Sequence, residues 1–229
     1  MSDTMFDAGL AGAAEPMGFD TAIPAEVATA KRAFDVAVAL VGILLTLPLW
    51  PLIALAIAIE SPGPVIFRQL RVGRAGTQRT ELFEMWKFRS MRADAEKASG
   101  AVWAAKRDPR VTRVGWFLRK TRLDELPQLV NVVKGDMSIV GPRPERPGFY
   151  GKLERQIPFF ADRTIGLRPG ITGFAQVRQG YDTCIDDVRS KVGFDHAYGM
   201  RLSSLAEWFA TDVGIMFRTV MVMVTGRGQ

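Results

Sequence analysis

Arg119 to Leu129 reads RKTRLDELPQL. Two adjacent carboxylates, Asp124 and Glu125, follow three cations, Arg119, Lys120 and Arg122, and Pro127 comes two residues later. Proline is tolerated in the first turn of a helix, where its missing N–H is not needed, so Pro127 marks a helix start. The spacing of Leu126, Leu129, Val130 and Val133 predicts that helix through Lys134, with Gly135 placed to cap it. Asp124 is then expected at or near the N-cap and Glu125 in the first turn. Acids are ordinary there, an N-cap Asp being worth about 1 kcal/mol. That reading explains the acids but not the cations around them.

A helix start also attracts phosphate, and Arg119, Lys120 and Arg122 would strengthen that field. Two further stretches carry cations of the same kind. WKFRS supplies Lys87 and Arg89, which alternate onto one face of a strand. GPRPE supplies Arg143 between Pro142 and Pro144, whose rings restrict the loop and pre-position the guanidinium for two-pronged phosphate contact. Positive charge and the helix dipole are expected to keep Asp124 ionised. An ionised Asp can attack phosphorus and form an aspartyl phosphate. Glu125, with Asp124, is expected to hold Mg²⁺ against the same phosphate. Adjacent helical residues do not share a face, but near a helix end both can reach one metal–phosphate unit.

The composition narrows the chemistry. The chain has 229 residues, one Cys (Cys184) and one His (His196). No intrachain disulfide and no Cys/His zinc cluster can be built, and nothing near these two residues suggests a nucleophile–base pair. The net charge is +6, but residues 1–30 hold five acids and no Lys or Arg, which leaves a surplus of 11 bases in the remainder. Such a surplus favours an anionic partner: a phosphorylated substrate, lipid headgroups or nucleic acid.

Val36 to Ile59 contains no charged residue across 24 positions, and about 20 apolar residues suffice to span a bilayer. Pro48 and Pro51 interrupt the middle and bend a helix there. Both flanks are basic, Lys31 and Arg32 before and Arg68, Arg71, Arg74 and Arg79 after, and basic flanks favour the cytoplasm. A segment with both ends held on one side must enter and turn back. The expectation is a re-entrant helix–break–helix over 31–60, bent at Pro48–Pro51, with a kinked full span as the alternative. Residues 1–30 read as a flexible acidic tail without the features of a signal peptide. Val213 to Val224 is apolar but interrupted by Arg218 and Thr219, and suits an interfacial or core helix, with Trp208 and Phe209 as a headgroup-level anchor.

Residues 61–229 read as one catalytic domain with interfacial helices. The expected class is α/β of the α+β type, mostly helical with a few short strands, in a monotopic membrane protein. Ser61–Phe67 is a turn into a strand. Gly73 and Gly76 mark a hairpin whose second strand runs near Glu81–Arg89. Met91–Ala105 is a helix or loop, Met137–Pro147 a short strand entering a rigid loop, and Arg168–Val177 a turn into a strand.

The stretches KRAFDV, SPGPVIFRQLRVG, MWKFRSM, DPRVTRVGWFLRKTRLDELPQLVNVVKGDMSIVGPRPERP and RPGITGFAQV give the chain, from Lys31 to Gly228, a close resemblance to the bacterial sugar transferases, the monotopic phosphoglycosyl transferases. The resemblance implies that a UDP-sugar binds with Mg²⁺, that Asp124 attacks the sugar-bearing phosphorus and expels UMP, and that polyprenyl (undecaprenyl) phosphate then takes the phosphosugar. It implies Glu125 as the partner acid on the metal, Lys87, Arg89, Arg119 and Arg143 as basic residues of the nucleotide site, and an anchor in the bacterial cytoplasmic membrane with the catalytic domain facing the cytoplasm. Arg122 departs from the small residue usual before LDELP, and Leu47–Pro48 from a Ser-Pro break. The family's larger members carry additional N-terminal spans, so this chain resembles its minimal, exopolysaccharide-type form. A homodimer is compatible with the sequence.

Two other readings compete. A basic membrane-attached module could hold anionic lipid or nucleic acid, although aromatics do not interleave with the basic runs as stacking onto bases requires, so no nucleic-acid partner is expected. A transferase that moves the sugar without its phosphate would release UDP.

Overall fold

An uncharged run this long can satisfy its backbone away from water only as helix. In the computed structural model, which describes residues 23–76, 80–95, 108–179 and 185–225, it does so in two pieces. Helix α1 runs Ala25–Thr46 and α2 runs Trp50–Glu60, joined by a 3₁₀ turn at Leu47–Leu49. Pro48 sits in that turn and Pro51 in the first turn of α2, where a missing N–H removes little. Ala25–Glu60 is long and apolar enough to cross a membrane by length and composition. Between Val36 and Ile59 its exposed side chains are all apolar, with Leu44 72% and Leu45 73% exposed. Helix α1 starts at Ala25, upstream of the boundary expected at Lys31. Residues 1–22 lie outside the described residues.

Both ends of this segment fasten to the same body. Near the start of α1, Lys31 pairs with Asp212 at 2.7 Å. Asp35 accepts from Ser138 Oγ (2.7 Å) and from the Ile139 N–H (3.0 Å). Arg32 donates to the carbonyls of Val132 and Val133. At the other end, Ile53 and Ile57 of α2 pack with Phe88 and Leu118. The Glu60 carboxylate accepts from the N–H groups of Arg113 (2.7 Å) and Val114 (2.8 Å).

That body is mostly helical with short strands, as expected. Strands β1 (Ile66–Ala75) and β2 (Thr80–Phe88) form an antiparallel hairpin that sets Phe67 opposite Lys87. Gly73 lies inside β1, in the irregularity between Val72 and Ala75, and not at the turn. After α3 (Arg113–Thr121) and α4 (Gln128–Lys134), β3 (Ser138–Val140) pairs in parallel with β4 (Gly170–Thr172). A Cβ at Gly141 or Gly170 would collide with the facing backbone, so these glycines permit the close approach of the two strands. Helix α5 (Pro147–Gln156) lies between them in sequence, and α6 (Ile185–Met200) and α7 (Leu205–Thr225) follow. The main core gathers Val27 and Ala39 of α1, Phe83 and Met85 of β2, Val132 of α4, Ile139 and Val140 of β3, and Tyr198, Trp208 and Ile215.

Helix α7 presents Leu205, Phe209, Val213 and Phe217 to the outside, four residues apart and hence on one face. Of the two aromatics expected at headgroup level, Phe209 lies on this exposed face, whereas Trp208 is buried and its indole N–H donates to Asp212 at 2.9 Å.

Candidate active site

The acid pair is placed by two local devices. Thr112 accepts from the Gly115 N–H and starts α3. Gly115 lets α3 lie directly on the backbone of Ser90, where any Cβ would collide. At the far end Arg122 adopts the left-handed conformation (φ 59°) and closes the helix. Leu123–Glu125 then forms a 3₁₀ turn, and α4 begins only at Gln128. Asp124 is therefore not an N-cap of α4. At three residues per turn, successive side chains diverge by about 120°, so the two acids point to different groups.

Both acids are buried, Asp124 at 6% and Glu125 at 8% exposure. Glu125 Oε1 lies 3.1 Å from Lys87 Nζ, 3.7 Å from Arg122 and 3.7 Å from Arg143. Burial works to raise its carboxyl, but Lys87, Arg143 and Arg122 outweigh that and bring it down to about 2. Asp124 has the opposite balance. Burial pushes it up, the Glu125 charge adds to the rise, and Lys87, Arg119 and Arg122 only partly offset it, leaving the carboxyl at about 6. Desolvation thus outweighs the cations and shifts Asp124 toward its neutral form, yet a carboxyl at about 6 is still mostly ionised at neutral pH. Its Oδ1 is buried without a hydrogen-bond partner. Burial also lowers Lys87 from the ordinary ammonium value, against the pull of Glu125.

These groups open on a cavity of about 380 Å³ lined by Lys87, Arg89, Arg119, Asp124, Glu125 and Arg143, with Arg71, Arg92, Arg110 and Arg146 further around its wall. The structure thus brings the six predicted charged residues to one place. Arg119 is steered there by donating through Nε to Ser90 Oγ at 2.9 Å. Lys120 instead lies over the Trp116 ring, 5.1 Å from its centroid. Arg89 borders the cavity, but its guanidinium donates to the carbonyls of Pro62 (2.8 Å) and Ser61.

The loop carrying Arg143 is held by its backbone. Pro142 C=O accepts from the Gly170 N–H (2.9 Å), Arg143 C=O from Arg163 (3.3 Å), Pro144 C=O from Arg71 (2.9 Å) and Glu145 C=O from the Val72 N–H (2.9 Å). Pro142 and Pro144 thus fix the loop through their carbonyls as well as their rings. Arg163 is itself anchored by Asp195 at 2.7 Å. Asn131 of α4 accepts from the Trp86 N–H and donates to the Glu84 carbonyl, and so holds the edge of the strand that bears Lys87. Arg71, Arg163 and Asn131 escape sequence reasoning because they act on carbonyls and amides far away in the chain. Asn131, a polar residue among the valines of α4, carried the only local signal.

Among the described residues no three His, Cys, Asp or Glu converge into a metal cluster. Mg²⁺, however, is commonly held by one or two carboxylates with waters and substrate phosphates. Asp124 and Glu125, adjacent carboxylates in the cavity wall, are the groups that would hold such an ion.

The family model described as bacterial sugar transferase matches residues 26–226. A UDP-N-acetylgalactosamine-undecaprenyl-phosphate N-acetylgalactosaminephosphotransferase of Aeromonas hydrophila is 46% identical over 198 residues, covering 86% of this chain and 44% of that protein. A UDP-glucose:undecaprenyl-phosphate glucose-1-phosphate transferase of Escherichia coli is 41% identical over 204 residues, 88% of this chain and 42% of that protein. The exopolysaccharide production protein PSS of Rhizobium leguminosarum is 40% identical over 204 residues, 86% of this chain and 97% of that protein. The chain spans less than half the length of the first two and nearly all of the third. With the match running from α1 to the end of α7, the chain belongs to the bacterial sugar transferase family.

Proposed function

We propose that this chain transfers a sugar-1-phosphate from a UDP-sugar to undecaprenyl or a related polyprenyl phosphate, releasing UMP, through a phosphosugar carried on Asp124. The observation that carries this reading is Asp124, in the wall of a cation-lined cavity, with its Oδ1 buried and without a partner. An unpaired buried carboxylate oxygen is costly to a fold and is what a nucleophile requires.

Lys87, Arg119 and Arg143 meet the diphosphate of the donor, and the Pro-Arg-Pro loop presents Arg143 without having to reorganise. Asp124 Oδ1 attacks the sugar-bearing phosphorus. The bond from that phosphorus to the bridging oxygen breaks, and UMP leaves with the electron pair. The phosphosugar remains as an acyl phosphate on Asp124. An oxygen of polyprenyl phosphate then attacks the same phosphorus, which frees Asp124 and yields a polyprenyl diphosphate sugar. Anhydride is exchanged for acyl phosphate and back, so neither step need be steeply uphill. Mg²⁺ held by Glu125 and Asp124 would neutralise diphosphate charge. Glu125, kept ionised by its three cations, holds those cations in place before the donor arrives.

The apolar segment serves this reaction as a re-entrant anchor. A straight span would separate Lys31 from Glu60 by the membrane, yet both are bonded to the same catalytic body. Bare leucines around Leu44 and Leu45 suit lipid, and the exposed face of α7 suits the interface. The catalytic body then lies at the cytoplasmic face of the bacterial inner membrane, and the product begins an exopolysaccharide or related glycan.

Incubation with Mg²⁺, polyprenyl phosphate and a panel of UDP-sugars tests the proposal. UMP from one donor, absent with Asp124→Asn, is the expected result. UDP in its place would mean direct glycosyl transfer.

A further inference from the structure

Arg89 stands one residue past the end of β2 and two beyond Lys87. Its position invites a role in binding donor phosphate, but its hydrogen bonds point elsewhere. Nη1 donates to the Pro62 carbonyl at 2.8 Å and Nη2 to the Ser61 carbonyl, while the Arg89 N–H donates to the Val65 carbonyl at 2.8 Å. All three acceptors lie in the segment that leaves α2. Arg89 is 5% exposed. Gly63 has φ +118°, and a Cβ there would strike Arg89 Nη1, so the turn is shaped around the guanidinium. The adjoining residue Glu60 is tied in turn to the first turn of α3, the helix that carries Arg119.

We infer, on the basis of the reaction proposed above, that Arg89 is a positioning residue: its forked guanidinium fixes the strand bearing Lys87 to the exit of the membrane segment and does not bind the donor. A fork that spans two carbonyls cannot be replaced by a point charge. Arg89→Lys, which keeps the charge, therefore loses the geometry. Gly63→Ala disturbs the same guanidinium from outside the cavity lining.

The experiment is pre-steady-state release of UMP from full-length protein in lipid nanodiscs with a UDP-sugar, with and without polyprenyl phosphate. Without acceptor, the burst amplitude counts intact sites and the burst rate constant reports the attack by Asp124. Both variants are expected to slow the rate constant by about 10- to 100-fold, the cost of a displacement near 1 Å. Amplitude and half-saturating donor concentration stay within about twofold of wild type. Three results would overturn the inference: Arg89→Lys behaving as wild type; Arg89→Lys raising the half-saturating donor concentration while Gly63→Ala does not; or a fall in amplitude alone, which marks a folding defect. If wild type releases UMP only when acceptor is present, the covalent reading fails. The variants are then compared by the single-turnover rate constant with acceptor, and the positioning claim stands or falls separately.

Discussion

Two buried carboxylate clusters in this molecule differ in one respect. Around Asp212 every oxygen is answered: Oδ1 accepts from Tyr198 (2.8 Å), and Oδ2 accepts from Lys31 (2.7 Å) and Trp208 (2.9 Å). Asp35 beside it accepts from Ser138 and Ile139. Around Asp124, Glu125 is surrounded by cations while Oδ1 of Asp124 has no partner. Burial and charge are common to both clusters. The first joins α1 to β3, α6 and α7, and its completeness makes it a structural joint. The second keeps a buried oxygen without a partner on a residue that lines a cavity, and it is there that the proposed reaction needs a phosphoryl group.

Removing one carboxylate from each cluster should have opposite consequences. Asp124→Asn should lower UMP release by at least about 10³-fold. It also removes a buried charge that lacks a donor, so the thermal midpoint should stay the same or rise; a lowered midpoint would mean that Asp124 is structural. Asp212→Ala should leave buried Lys31 with only the longer pair to Asp35 at 3.7 Å, and cost about 3 kcal/mol in denaturant unfolding. Activity per folded molecule should remain near wild type, and a selective loss of turnover would erase the distinction.

Smaller effects sharpen the contrast. Glu125→Gln should slow turnover by about 10- to 100-fold, because Lys87, Arg122 and Arg143 lose their shared anchor. Unchanged donor kinetics would show that the cage is idle. The mildest effect is on pH. Asp124 is raised to about 6, so its nucleophilic form is depleted as pH falls through that value, whereas Glu125, near 2, stays ionised. The burst rate should fall about tenfold between pH 7.5 and 5 and be flat above 7. The raised value of Asp124 also means that its neutral form suits the fold, a contribution present at low pH and lost as pH rises through about 6. A burst rate flat down to pH 5 would mean that Asp124 titrates as an ordinary acid.

Much of this was legible in the sequence because the signals are local. A run without charge, two prolines and basic flanks announce a broken apolar helix. An acid pair before proline, and an arginine between prolines, announce the site. What the sequence concealed depends on partners distant in the chain. The protonation of Asp124 is set by how deeply the 3₁₀ turn sinks, which no neighbouring residue reports. Arg89 reads as an alternating strand residue, but β2 ends at Phe88 and its partners are Ser61 and Pro62. Trp208 reads as an interface anchor, but Asp212 one turn later claims its indole N–H. Gly73 reads as a turn and is an irregularity within β1.

The most direct test is the intact mass of the protein after mixing with its UDP-sugar and Mg²⁺ in the absence of polyprenyl phosphate. A stoichiometric gain of one sugar phosphate is predicted, located on Asp124, absent in Asp124→Asn and discharged when polyprenyl phosphate is added. UMP formed with acceptor while no mass shift precedes it, even on rapid quenching, would contradict the account.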